Sequence, residues 1–135
     1  ETYLSEHNGA EVNTAKIANE TPDLTMFNGH ANQYVFEPLK ARVGERVRIW
    51  VLAAGPSRGC SFHVVGTQFD TVFKEGAYTL KRGNPEGGGC QALDLASAQG
   101  GFVEMVFEEP GRYTFVNHSF VEMERGAKGF IEVTA

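Results

Sequence analysis

Basic residues are in short supply in this chain: 12 Lys and Arg stand against 17 Asp and Glu, a formal charge of −5. A nucleic-acid partner demands a basic face, so that class is excluded. No run approaches the ~18–20 apolar residues of a membrane span. No GxSxG or Cys–His signature is present, which leaves serine and cysteine hydrolases without support. Gly87-Gly88-Gly89 lacks the Lys-Ser/Thr and the strand-to-helix setting of a phosphate-binding loop. There is no internal repeat and no signal peptide, and the chain opens on Glu1 rather than Met. A mature form or an excised piece of a longer protein is therefore expected.

Cysteine is scarce as well. Cys60 and Cys90 are the two present, and neither has the CxxC partner of a zinc site. A disulfide between them would close a loop of about 30 residues and stabilise by roughly 3.5 kcal/mol in the loop-entropy picture. That pairing favours an extracytoplasmic location. The alternative is two free, buried and inert thiols.

What is abundant is short-range alternation, in a chain whose 135 residues suffice for one domain with a core. Glu11 to Asn19 has near-helical spacing of Val12, Ala15 and Ile17, which predicts a short helix. Asp23 to Asn28 and Gln33 to Phe36 read as short strands, stopped by Asn28-Gly29 and Pro38. The clearest pattern puts Val47, Ile49, Val51 and Ala53 on one face and Arg46, Arg48 and Trp50 on the other. Ser61 to Gly66, Phe69 to Phe73, Gly101 to Glu108, Tyr113 to His118 and Phe130 to Val133 supply further strands. Glu109-Pro110-Gly111-Arg112 is a hairpin turn. Lys74 to Gln91 reads as a long excursion loop, and the acidic pairs Glu108-Glu109 and Glu122/Glu124 as solvated faces. Seven or eight short strands with almost no helix predict an all-β antiparallel sandwich or barrel.

Two stretches carry a resemblance. Phe62-His63-Val64-Val65-Gly66, followed later by Glu109-Pro110-Gly111-x-Tyr113-x-Phe115, a loop and a closing strand, resembles a cupredoxin domain. With Phe27-Asn28-Gly29-His30 and Tyr113-Thr114-Phe115-Val116-Asn117-His118 added, the chain resembles the second, C-terminal cupredoxin domain of copper-containing nitrite reductases and two-domain multicopper oxidases. The resemblance covers most of the chain. It implies a Greek-key β-sandwich of cupredoxin type, with residues 1–22 as an interdomain-type lead-in carrying the short helix and 23–135 as the cupredoxin domain.

The resemblance also implies roles. A type 1 copper needs two His, a Cys thiolate and usually a Met. Here the cysteine position reads Asn117, the place of the following histidine reads Glu122, and Met123 alone suits an axial ligand. No type 1 copper is expected in this chain. His63, in the place of the first histidine, remains a metal candidate but reads better as a hydrogen-bonded core histidine. His118 matches the histidine that completes a type 2 or trinuclear-type copper shared with another domain or subunit. The implied partner is another cupredoxin domain carrying type 1 copper, within a homo-oligomer, in this family a trimer. The residue five places past His63, a histidine in nitrite reductases, is Gln68, which cannot titrate. Asp70 is the candidate substitute acid, and equally reads as a turn residue. Two rivals stay open: a copper-free structural or interaction module that kept the fold, and an adhesion or carbohydrate-binding sandwich with Trp50 as its platform.

Overall fold

The alternating segments become two stacked sheets. The structure is a computed structural model that describes residues 1–7 and 9–135. Its strands are β1 (Leu39–Arg42), β2 (Arg46–Leu52), β3 (Cys60–Val64), β4 (Thr71–Lys74), β5 (Ala77–Leu80), β6 (Ala92–Leu95), β7 (Gly100–Val106), β8 (Gly111–Asn117) and β9 (Lys128–Thr134). One sheet has the order β1-β9-β8-β3-β6, the other β2-β7-β4-β5. β1 runs parallel to β9, and the pairings of β3 and β8 with their neighbours are antiparallel. The all-β sandwich is thus as the alternation predicts.

Period-two patterning explains which faces are dry. Phe62 and Val64 of β3, Val103 and Met105 of β7, Phe115 of β8 and Ile131 and Val133 of β9 meet between the sheets. Each such side chain contributes about 1.5–3 kcal/mol by leaving water. Val47, Ile49 and Val51 pack on this core, and Ala53 joins it. The opposite face of β2 is wet, with Trp50 66% exposed. The Pro110-Gly111 turn joins β7 to β8, and Tyr113 locks it by donating from its hydroxyl to the Glu109 carbonyl at 2.9 Å.

Gly129 is required by a close approach. It stands opposite Phe115, where an added Cβ would lie 2.4 Å from Phe115 Cζ and 2.5 Å from Tyr34 Cβ. Gly129→Ala is expected to destabilise by about 1–3 kcal/mol through overpacking. Urea unfolding beside Gly76→Ala, where a Cβ meets nothing within 4 Å, checks this.

Three short helices accompany the strands among the described residues. The first, α1 (Thr14–Ala18), falls inside the predicted 11–19 segment and is capped by Asn13, whose side chain accepts from Lys16 N. The second, α2 (Gln33–Phe36), corrects the expected strand. Four residues are closed by local bonds instead, from Val35 N to Asn32 O and from Glu37 N to Gln33 O, both 2.9 Å. The third, α3 (Phe120–Glu124), lies where a plain loop is expected. Asp23 to Asn28 forms isolated bridges at Leu24 and Phe27 rather than a strand. The excursion loop is shorter than predicted, because β5 folds back on β4 around Glu75-Gly76 and β6 joins β3.

The disulfide expectation is corrected: Cys60 and Cys90 are both free. Cys60 pairs with Leu95 and His63 with Ala92. That register ends at Ala92, and Cys90 bridges Phe69 instead, exchanging both backbone bonds with it at 2.7 and 3.0 Å. Cys90 Sγ donates instead to the Ala92 carbonyl at 3.1 Å. Burial raises the Cys60 thiol to about 11, so it stays protonated and unreactive.

Residues 1–7 and 9–22 lie against the sandwich. Tyr3 is buried, and the Glu1 carboxylate accepts from the backbone N–H groups of Ser57 (2.9 Å) and Arg58 (3.1 Å). Arg58 reaches Glu20 on one side and Glu122 on the other.

Candidate functional site

His118 ends β8 because the strand is anchored one residue earlier. Asn117, 5% exposed, accepts from Ser61 N at its Oδ1 (3.0 Å), while His118 N donates to Ser61 O (2.8 Å). β8 therefore stops beside the start of β3, and the chain turns into α3. His63, one residue beyond Phe62 on β3, faces away from the core. The two imidazoles meet: their ring centroids are 5.3 Å apart with planes at 24°. Phe120 also stacks with His118, at 4.9 Å and 22°. His118 and Phe120 are exposed, and His63 is half-buried.

His63 makes no side-chain hydrogen bond to protein among the described residues, so the expected hydrogen-bonded core histidine is instead a stacked one. Burial, and then the neighbouring His118, hold it below its ordinary value of 6.5. It is therefore neutral at pH 7.

Gln68 and Asp70 lie elsewhere. Together with Gly66, Glu108, Glu109 and Tyr113 they line a cleft of about 810 Å³ to which neither histidine contributes. The Arg46 guanidinium grips Asp70 through two bonds of 2.9 and 2.8 Å, and Thr71 adds a third. Arg46 holds the Asp70 carboxyl below the usual range, which makes it a poor proton donor near neutrality. The sign of its linkage follows. A depressed carboxyl contributes stability above its ordinary value of 3.8, and that contribution is lost as pH falls through the lowered value. Asp70→Asn is expected to cost less than about 1 kcal/mol at pH 7, since the pair is partly exposed. The difference from the native chain should shrink as pH falls below the ordinary carboxylate value and through the lowered one, in denaturant titrations run across pH.

Several of these contacts carry no strong signal in the sequence. Glu122 is 1% exposed, not part of a solvated acidic face. It accepts from Arg58 Nη1 (2.7 Å) and from Thr25 Oγ1, with Arg125 Nη1 at 3.9 Å. Phe120 was also unmarked, although an aromatic residue two places after a strand-end histidine is a signal for stacking.

The proteins this chain is similar to include copper enzymes. The copper-containing nitrite reductase of Neisseria gonorrhoeae is 35% identical over 120 residues, which span 87% of this chain and 29% of the relative. That of Neorhizobium galegae is 31% identical over 84% of this chain and 29% of the relative. Among solved structures, the Cu-containing nitrite reductase of Thermus scotoductus superposes with a TM-score of 0.78 at 29% identity, over 92% of this chain and 28% of that one. A multicopper oxidase superposes with a TM-score of 0.71 at 26% identity, over 83% of this chain and 38% of that one. The chain matches one cupredoxin domain of the copper nitrite reductase and multicopper oxidase family. No family model matches the chain.

This cupredoxin domain spans about 29% of the length of the curated relatives it matches. Its donor set fits copper in part. Among the described residues, no group of three His, Cys, Asp or Glu side chains is placed to hold a metal. Cys60 packs against the core, on the opposite face of β3 from His63. The His63 and His118 rings are near-parallel, so their in-plane lone pairs do not converge on one ion. The exposed His118 imidazole fits a single position in a copper shell. Among the described residues no helix is long and apolar enough to cross a membrane.

Proposed function

We propose that this domain belongs to a copper oxidoreductase and supplies His118 as one ligand of a type 2 or trinuclear-type copper, the rest of whose shell comes from another cupredoxin domain. The observation that carries this is the exposed imidazole of His118 at the end of β8, held in place and facing out of the domain. Phe120 and Val121, 59% and 53% exposed, flank it and offer a partner an apolar rim. Copper bound there supplies Lewis acidity and one-electron exchange.

The chain's own residues divide the remaining work. Asn117 fills the place where a type 1 site would put its thiolate, and bonds Ser61 instead. This domain then has no type 1 copper, and electrons enter from a type 1 centre in the partner domain. Gln68 donates hydrogen bonds without delivering protons. Asp70 is held ionised by Arg46 in a cleft apart from His118, so neither it nor Gln68 supplies the protons that nitrite reduction consumes, and oxidation of a metal ion or a phenol stands beside it as the other reaction class. Residues 1–22 serve as the interdomain lead-in to the cupredoxin body of 23–135. A ligand that crosses to a neighbour implies a heterologous interface closing into a ring, a trimer in this reading. An extracytoplasmic location goes with the family alone, since the disulfide that first favoured it is absent.

The test is a Cu(II) titration of this chain followed by electron paramagnetic resonance, beside His118→Ala. Weak binding by nitrogen ligands is expected, without the small hyperfine splitting of a blue site, and it should vanish in the variant. A tight blue signal would overturn the assignment. Binding indifferent to His118 would move the metal elsewhere, and no binding at all would favour the copper-free module.

A further inference from the structure

We infer that Phe120 and His63 are positioning residues that both stack on the His118 imidazole and set the direction in which it presents its free nitrogen. The stack is a property of this chain alone. Its metal-directed role rests on the ligand reading above.

The need for such a stack is physical. A ligating imidazole is normally oriented by a hydrogen bond from its second nitrogen to a carboxylate or carbonyl, which fixes tautomer and ring angle together. Neither ring nitrogen of His118 has a protein partner of that kind among the described residues, although the backbone around it is well anchored. An exposed imidazole on two side-chain torsions would otherwise sample several rotamers. The stack removes that freedom. His63 stacks on His118 at 5.3 Å and 24° and Phe120 at 4.9 Å and 22°, both within the range of offset-stacked rings. Two stacked neighbours constrain rotation of the ring out of its plane, while His118 as a whole stays exposed.

The two stacking rings come from separate elements. His63 is fixed by β3, whose register with β8 pairs it with Val116. Phe120 is the first residue of α3, directly after its cap Ser119. This arrangement accounts for a histidine on β3 that is only half-buried. It also accounts for an aromatic ring left 59% exposed at a helix start. His63 acts as a platform for the ligand and need not itself touch metal.

The experiment uses the whole chain, isotope-labelled and first metal-free. Ring-current shifts of the His118 carbon-bound protons report the stack directly. Phe120→Leu keeps an apolar side chain and removes the ring, and is expected to move those signals toward free-histidine values, while Phe120→Tyr restores them. Cu(II)–iminodiacetate, which leaves room for one imidazole, is then titrated and read by broadening of the His118 signals. Its affinity should fall about twofold to tenfold in Phe120→Leu, the cost of ordering one side chain on binding, and recover in Phe120→Tyr. Unchanged ring signals in Phe120→Leu would overturn the stack. Moved signals with unchanged affinity would overturn its positioning role. A native chain whose His118 does not bind the chelate would overturn the ligand reading while the shifts still report the stack.

Discussion

Arg58→Ala is expected to destabilise the domain, because it leaves the buried Glu122 carboxylate without its main cationic partner, with the loss moderated by the partial exposure of Arg58 itself. Glu122 is 1% exposed and its Oε1 accepts from Arg58 Nη1 at 2.7 Å. With Arg58 removed, Thr25 still donates to the carboxylate, but the nearest cation is Arg125 at 3.9 Å. Such a contact does not replace a direct charged hydrogen bond. The urea midpoint should fall, with the slope of the transition unchanged. The double variant Arg58→Met/Glu122→Leu separates the pair from its setting. Replacing both charges with apolar groups should recover most of the loss, because desolvation of the pair offsets much of its attraction. Equal loss in the single and double variants would show that packing of the Arg58 stem dominates. The pair also matters beyond stability. Arg58 bonds Glu20 and Glu122 together, and so ties the segment before the sandwich to α3, which follows His118. Breaking it should loosen the turn that carries Phe120.

This network marks where the sequence stops being readable. The β2 face of Val47, Ile49 and Val51 and the Pro110-Gly111 turn were legible, because period-two burial and turn chemistry are local properties. Gln33 to Phe36 was misread for the same reason. Four residues cannot distinguish a strand from one helical turn, and with no strand edge to join, local bonds closed the helix. Glu122 looked like half of a solvated acidic pair, since its partner Arg58 lies 64 residues away and no spacing reveals it. The cysteines failed on geometry: a loop length says nothing of register, and the pairing puts Cys60 opposite Leu95 and Cys90 opposite Phe69. At the site, the two histidines were found from motif alone. Their face-to-face meeting, and the part Phe120 takes in it, depend on where β8 and β3 end relative to one another.

That relative position rests on Asn117, and Asn117→Ala is expected to cost about 1–3 kcal/mol, the penalty for a buried polar group that loses its partner. Asn117 Oδ1 accepts from Ser61 N at 3.0 Å, and Ser119 N lies at 3.5 Å. Alanine leaves the Ser61 N–H without an acceptor at the start of β3 and opens a void at a position only 5% exposed. His118→Ala, one residue further along, removes an exposed side chain and should lie within about 0.5 kcal/mol of the native domain. The contrast separates scaffold from function: the residue that matters least for folding is the proposed ligand, and its neighbour holds it there. Loss of the Asn117 anchor should also disturb the stack, because His118 N donates to the carbonyl of the same Ser61. In Asn117→Ala, the His118 ring signals should broaden at temperatures well below unfolding, while signals from the Gly111 end of β8 stay in place. If the ring signals remain sharp and unshifted, the backbone bond to Ser61 alone suffices, and Asn117 serves only to fill its site.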